Sequence, residues 1–296
     1  MAHRPRSCDG SAVQDAPFVG TEARAAGRVG RHQLRSRFTR FHPNVYLPDD
    51  VVEPSLDQRI RAAWLWSQRQ AVIAGSAAAF LHGSRWIDRE ATIELIHGNP
   101  RTPVGVIARR DLLLDGEAAA LGDMAVTTPS RTGFDVGRRD GLTRALARMD
   151  ALMRATKVNG ESICALASRH PHARGLRQLE EVLSLADPGA ESPKESWLRL
   201  VLIRAGLPMP HTQIPVRDRA GFPIAYLDLG WPQLMVAVEY DGDHHRTDRR
   251  QYIKDIRRRE VLERMGWIVI TVVAEDRPSE IVRRVRDAMD RRSTVH

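Results

Sequence analysis

The sequence predicts a mixed α/β, multidomain protein, and three observations carry that expectation. Apolar runs of strand length alternate with stretches of helical periodicity along most of the 296 residues, a length that suits two domains or three small ones. Cap and stop residues (Ser, Thr, Pro and Gly) bracket the periodic stretches. One stretch, AYLDLGWPQLMVAVEYDGDHH at 225–245, sets acidic residues among core-like neighbours and reads as two strands joined at Trp231-Pro232-Gln233.

Bulk composition narrows the function classes. Lys and Arg number 45 against 37 Asp and Glu, a formal charge of +8 that favours a polyanionic partner, nucleic acid first and anionic membrane second. No apolar run approaches a membrane span and the N-terminus lacks a signal-peptide core, so a cytoplasmic protein with no membrane partner is expected. The two cysteines, Cys8 and Cys164, suggest neither a disulfide framework nor a metal cluster.

Residues 1–16 lack periodicity and read as a disordered tail. Residues 17–50 suit two short helices, one capped by Thr21 and one over RHQLRS at 31–36, then a hairpin turning at Pro43-Asn44. That is the outline of a winged helix-turn-helix. Arg28, Arg31, Arg35, Arg37 and Arg40 put positive charge on its second helix and wing, where such modules meet phosphates, and Arg31, Arg35 and Arg40 are the candidate contacts.

Residues 51–156 read as a small α/β domain. Its elements are a helix at 56–68 with Ile60, Ala63, Trp64 and Ser67 on one face, a strand at 71–74, and a helix capped by Ser76. Paired strands at 91–96 and 103–107 follow, then a helix capped by Thr128 with Pro129 at its first position. Arg131 and Asp135 stand at i, i+4 on that helix, the spacing of a local ion pair. A helix at 141–156 turns Leu142, Ala145, Leu146, Met149 and Leu152 inward. His82 is expected to pack or cap rather than bind a metal. Residues 157–190 read as a helical linker with a helix near 175–185, and His170 and His172 belong to its crossing loop.

Residues 191–296 form the last domain, in the order α-β-β-β-α-β-α. Ser192 and Glu195 make a capping box with Pro193 at the first helical position. Asp248 is placed to cap a long helix at 249–265, and 267–273 is apolar enough to be a buried strand. Strand alternation puts Glu239 and Asp241 on one face, with Asp228 on the preceding strand beside them. Three such carboxylates repel unless they hold a cation or a proton. His244 and His245 follow at once and titrate near neutrality. Arg249, Arg250, Lys254 and Arg258 on the long helix are candidate phosphate contacts, although Asp255 and Arg258 at i, i+3 also suit a structural pair.

The segments ESPKESWLRLVLIRAGLPMP, YLDLGWP, VAVEYDGDHH and DRRQYIKDIRRREVLERMGWIVI, about a third of the chain, resemble the PD-(D/E)XK restriction-endonuclease-like fold, in its very-short-patch-repair (Vsr-like) branch. The resemblance implies Mg²⁺ or Mn²⁺ held by Asp228 and Glu239, with Asp241 as a further ligand or its support, and Glu195 reaching the same site. Where the signature has lysine this chain has Asp241; the Vsr-like branch uses histidine nearby, which gives His244 or His245 the role of acid or base. FVGTEARAAGRVGRHQLRSRFTRFHPNVYLP, AGSAAAFLHG and VTTPSRTGFD are similar to the AbiEi-like antitoxins of type IV toxin–antitoxin systems, which implies a DNA-binding winged helix followed by a small α/β domain. The resulting expectation is a metal-dependent DNA endonuclease with an N-terminal DNA-binding module. The alternative is a non-enzymatic DNA-binding regulator or antitoxin with a cognate toxin as partner.

Overall fold

The computed structural model describes residues 15–242 and 249–293, the stretch 249–255 by its backbone alone. The described residues form a mixed α/β chain of eleven α-helices and three sheets. None of these helices is long and apolar enough to cross a membrane. The chain divides into two compact units, residues 1–136 with 155–174, and residues 137–154 with 175–296.

The first unit opens with β1 (Phe18–Val19), α1 (Gly20–Ala25), α2 (Arg31–Ser36), β2 (Phe38–His42) and β3 (Val45–Pro48), whose strands pair in the order β1-β3-β2. Thr21 does not cap α1, because the helix begins a residue earlier, after Val19. Its N–H instead donates to Asn44 Oδ1 at 3.1 Å and its hydroxyl accepts from Asn44 Nδ2 at 2.9 Å, which ties the helix to the hairpin turn. Asn44 adopts φ 62°, a conformation its short polar side chain tolerates.

Next comes α3 (Leu56–Trp66), fixed by a capping box in which Ser55 Oγ accepts from Gln58 N and Gln58 Oε1 from Ser55 N. Ile60, Ala63 and Trp64 face the core. Ser67 Oγ closes the helix, donating to Trp64 O at 2.6 Å and accepting from Ala71 N at 3.1 Å. The unit continues with β4 (Val72–Ala74), α4 (Gly75–Leu81), β5 (Ile93–Ile96), β6 (Val106–Arg109), β7 (Ala118–Leu121) and β8 (Met124–Thr127), in a sheet of order β6-β5-β4-β8-β7. Ser76 lies buried inside α4 rather than at its cap. His82 packs as expected, donating from Nε2 to Thr127 O at 2.7 Å.

The ion pair expected within α5 (Pro129–Arg139) forms, Arg131 Nε to Asp135 Oδ2 at 3.1 Å, and both side chains are wholly buried. Arg131 also binds the buried Glu117, which in turn accepts from His170 Nε2 at 2.8 Å. His170, on the loop after α7 (Gly160–Ser168), is therefore a structural partner of a carboxylate.

The second unit takes in α6 (Leu142–Thr156, to residue 154), α8 (Leu176–Leu185), α9 (Pro193–Arg204), β9 (His211–Arg217), β10 (Pro223–Trp231), β11 (Val236–Tyr240), α10 (Arg249–Arg264), β12 (Ile268–Val272) and α11 (Pro278–Ser293). Its sheet runs β12-β11-β10-β9, antiparallel except for the β11–β12 pair that α10 connects. Leu198 and Leu202 of α9 and Ile281 and Val285 of α11 pack on Leu229, Trp231, Val236 and Val238. Ala237, the residue between, packs instead with Leu262 of α10 and Trp267, as strand alternation requires. An ion pair absent from the sequence reading joins α6 to α9: Asp150 Oδ2 accepts from Arg199 Nη2 at 2.7 Å and Ser196 Oγ at 2.6 Å, with both members of the pair buried.

Candidate functional site

The chemistry-bearing feature of the second unit is a fork in its sheet. The β10–β11 ladder ends at Leu229↔Val238. Beyond that pair β10 continues against β9 alone (Leu227↔Ile214, Tyr226↔Pro215), and β11 against β12 alone (Glu239↔Thr271, Tyr240↔Val272). Asp228 and Glu239 are the first residues past the ladder, one on each arm. Two side chains replace the backbone bonds that the fork removes. Asp228 Oδ2 accepts from Tyr240 N at 3.1 Å. Arg258 of α10 reaches in, donating to Glu239 Oε2 at 2.9 Å and to the Tyr226 carbonyl at 2.7 Å, with a further bond to Glu239 Oε1. Pro215, opposite Tyr226, has no N–H to offer that carbonyl.

A cleft of ≈ 210 Å³ opens here, lined among others by Asp228, Glu239, Tyr240, Asp241, Arg258 and Arg259. Burial first, then the negative charges of Glu195 and Glu239, raise the Asp228 carboxyl to about 7, against the opposing pull of the Tyr240 N–H and of Arg258. Glu195 is buried on the first turn of α9. Ser192 Oγ accepts from Glu195 N at 3.2 Å, which is half of the expected capping box. The other half is not made: Glu195 Oε2 accepts from Glu191 N at 2.8 Å and from Gln213 Nε2 at 3.4 Å. Its carboxylate thus bends back along the chain rather than onto the Ser192 N–H.

The expected site residues separate into groups. Asp228, Glu239 and Asp241 line one cleft, and Glu195 is near enough to act on Asp228 electrostatically. Asp241 is exposed and continues the β11 edge through its N–H to Val272 O at 2.8 Å. His244, His245 and Asp248 lie outside the described residues, as do the side chains of Arg249, Arg250, Lys254 and Asp255. Arg258 is engaged with Glu239, so its charge faces the carboxylate. In the first unit Arg31 and Arg35 of α2 and Arg40 of β2 are exposed. Lys194 escaped the sequence reading; its ammonium lies 5.4 Å from the centre of the Tyr240 ring.

A divalent cation can be tested against this donor set. Carboxylate oxygens are the hard ligands that Mg²⁺ and Mn²⁺ take, and Mg²⁺ commonly uses one or two carboxylates with waters and phosphate oxygens. Asp228 and Glu239 fit that chemistry, and the guanidinium of Arg258 already stands as a cation on one of them. A protein cage is not present: among the described residues no group of three His, Cys, Asp or Glu could hold a metal ion together. The fit is therefore to a two-carboxylate site, with Asp241 and Glu195 at its margin. A larger cleft of ≈ 520 Å³ in the first unit offers less, since its Arg61 and Arg69 are already paired with Asp123 and Glu22.

No known protein family matches the chain, and no solved structure matches it. Two uncharacterized proteins of Mycobacterium tuberculosis, MT2308 of strain CDC 1551 / Oshkosh and Rv2248 of strain ATCC 25618 / H37Rv, are 28% identical to it over 246 residues, 81% of this chain and 89% of each relative. That stretch is longer than either unit, so the similarity reaches into both.

Proposed function

We propose that the second unit is a restriction-endonuclease-like, divalent-metal-dependent DNA nuclease domain, and that the first unit supplies a winged-helix DNA-binding module followed by a small α/β domain. One observation carries this reading: the forked sheet sets two carboxylates, Asp228 and Glu239, against each other in an open cleft at the end of a β-ladder. A carboxyl such as Asp228, raised by burial and by acidic neighbours in a cleft, marks a site whose charge is arranged for a ligand.

In this reading Asp228 and Glu239 would hold Mg²⁺ or Mn²⁺, which when bound would supply charge stabilisation to the phosphoryl oxygens. Asp228, raised to about 7, is the group that would hold a proton in the free site and would have to release it to serve as a ligand. Glu195 keeps the cleft electronegative, and Asp241 occupies the signature's lysine position at its rim. His244 or His245 serves as the acid that protonates the leaving oxygen. Exposed Arg31, Arg35 and Arg40, with Arg249, Arg250 and Lys254, hold the phosphate backbone. The setting is cytoplasmic and DNA is the partner.

A second reading has an observation of its own. Glu239 is already neutralised by Arg258, and the motif lysine is missing, which suits a non-enzymatic DNA-binding regulator or antitoxin with a cognate toxin. Supercoiled plasmid separates the two. Metal-dependent nicking that EDTA stops and Asp228→Ala removes is the result expected of the nuclease. Plasmid retardation without cleavage in Mg²⁺ or Mn²⁺ would select the regulator.

A further inference from the structure

Arg258 occupies the place where a cation is needed. Its guanidinium lies across the mouth of the fork, bidentate on Glu239 and bound to the Tyr226 carbonyl, so that it touches both arms. The helix that carries it is strongly basic, and its neighbour Arg259 also lines the cleft, with Nη2 3.4 Å from Thr271 Oγ1. A planar guanidinium satisfies both oxygens of one carboxylate at once, and those are the oxygens a divalent ion would use. The two cations therefore compete for Glu239. The side chain of Arg258 is also only partly buried, at 35% exposure, so it can turn toward a phosphate without crossing the core.

We propose that Arg258 is the exchangeable counter-cation of the fork: it holds Glu239 in position in the free protein, yields that carboxylate to a divalent ion, and passes its guanidinium to a phosphate of the bound strand. The proposal rests on the divalent-ion reading above and adds a positioning residue to it. Arg258 offsets part of the repulsion between the two carboxylates before the ion arrives. It also makes the protein's affinity for free ion weaker than two paired carboxylates alone would give. DNA then strengthens ion binding, because the released guanidinium gains a phosphate partner.

The test is Mn²⁺ binding to the full chain, followed by the loss of the free-ion resonance signal, for the wild type, Arg258→Gln, Arg258→Lys and each combined with Asp228→Ala. Gln removes the charge and Lys keeps it, and neither carries the planar guanidinium, so the pair separates competition for Glu239 from bracing of the fork. The expected result is Mn²⁺ binding roughly tenfold tighter in Arg258→Gln, near the wild-type value in Arg258→Lys, and lost in every Asp228→Ala background. At saturating Mn²⁺ the Arg258→Gln variant nicks plasmid more slowly although it binds the ion better. A merely structural Arg258 gives the opposite sign, weaker Mn²⁺ binding in Arg258→Gln, and that result overturns the proposal while leaving the ion site standing. Absence of Mn²⁺ binding in the wild type and in Arg258→Gln alike would overturn both.

Discussion

Between its ordinary value of 3.8 and about 7, the folded chain keeps a proton on Asp228 that the unfolded chain has already released. Folding is therefore favoured less as pH rises through that window, and the loss is complete above it. Allowing for the partial exposure of the carboxyl, the deficit is about 2 kcal/mol at pH 8. Asp228→Asn, which can still accept from the Tyr240 N–H, is then more stable than the wild type by about that amount at pH 8 and equal to it at pH 4. Chemical denaturation at the two pH values checks this; an equal gain at both, or a loss at pH 8, contradicts the electrostatic account. Arg199 and Asp150 show the other use of a buried charge. Their sequence positions gave no warning, because an arginine on a helix ordinarily reads as solvated surface, yet Arg199 is fully buried and paired. Pairing of this kind depends on which helix lies opposite, and a one-dimensional pattern does not carry that information.

At the scale of elements, the local signals were the legible ones. The α2 segment, the hairpin turn at Pro43-Asn44, the α9 start at Ser192-Pro193 and the strand β12 are set by cap, turn and composition, and the structure has each of them near the expected residues. The strand β12 is only partly buried, because it is an edge strand of its sheet. The β7–β8 hairpin went unread because Ala-Ala-Ala-Leu has little β preference and all four residues are exposed. The Gly122-Asp123 pair between its strands, with Gly122 at φ 62°, was the available clue. Glu239, Asp241 and Asp228 were legible as a cluster, whereas the fork between their strands was not, since the point where two strands part is set by their neighbours. Gly230 guards that point: a Cβ there would lie 2.5 Å from the Val236 carbonyl oxygen. Gly230→Ala therefore forces β10 and β11 apart at the ladder's end, destabilising the protein by about 2 kcal/mol. It also weakens Mn²⁺ binding by displacing Asp228. A thermal melt with and without Mn²⁺ reads both effects, and an unchanged melting temperature would contradict the close packing assigned to this position.

For the whole molecule, the charge of +8 and the mixed α/β class came directly from composition and pattern. The division into units was harder to read, because residues 137–154 join the C-terminal unit while residues 155–174 join the N-terminal one. That exchange follows buried partners distant in sequence, Asp150 with Arg199 and His170 with Glu117. The exposed arginines of the first unit make a prediction that needs no knowledge of how the units are arranged. If Arg31, Arg35 and Arg40 each hold a phosphate, replacing all three with Gln lowers DNA affinity and reduces the slope of log K against log salt by about three. Titrations at several salt concentrations check it, and an unchanged slope would remove those residues from the interface.

The central claim is that a divalent ion binds in the fork between Asp228 and Glu239. Its most direct test is affinity cleavage, with Fe²⁺ loaded in place of Mg²⁺ and ascorbate and peroxide added, so that hydroxyl radicals cut the polypeptide beside the bound ion. The account predicts cuts close to Asp228 and Glu239 that excess Mg²⁺ suppresses and Asp228→Ala abolishes. Cuts elsewhere, or none that Mg²⁺ protects, would contradict it.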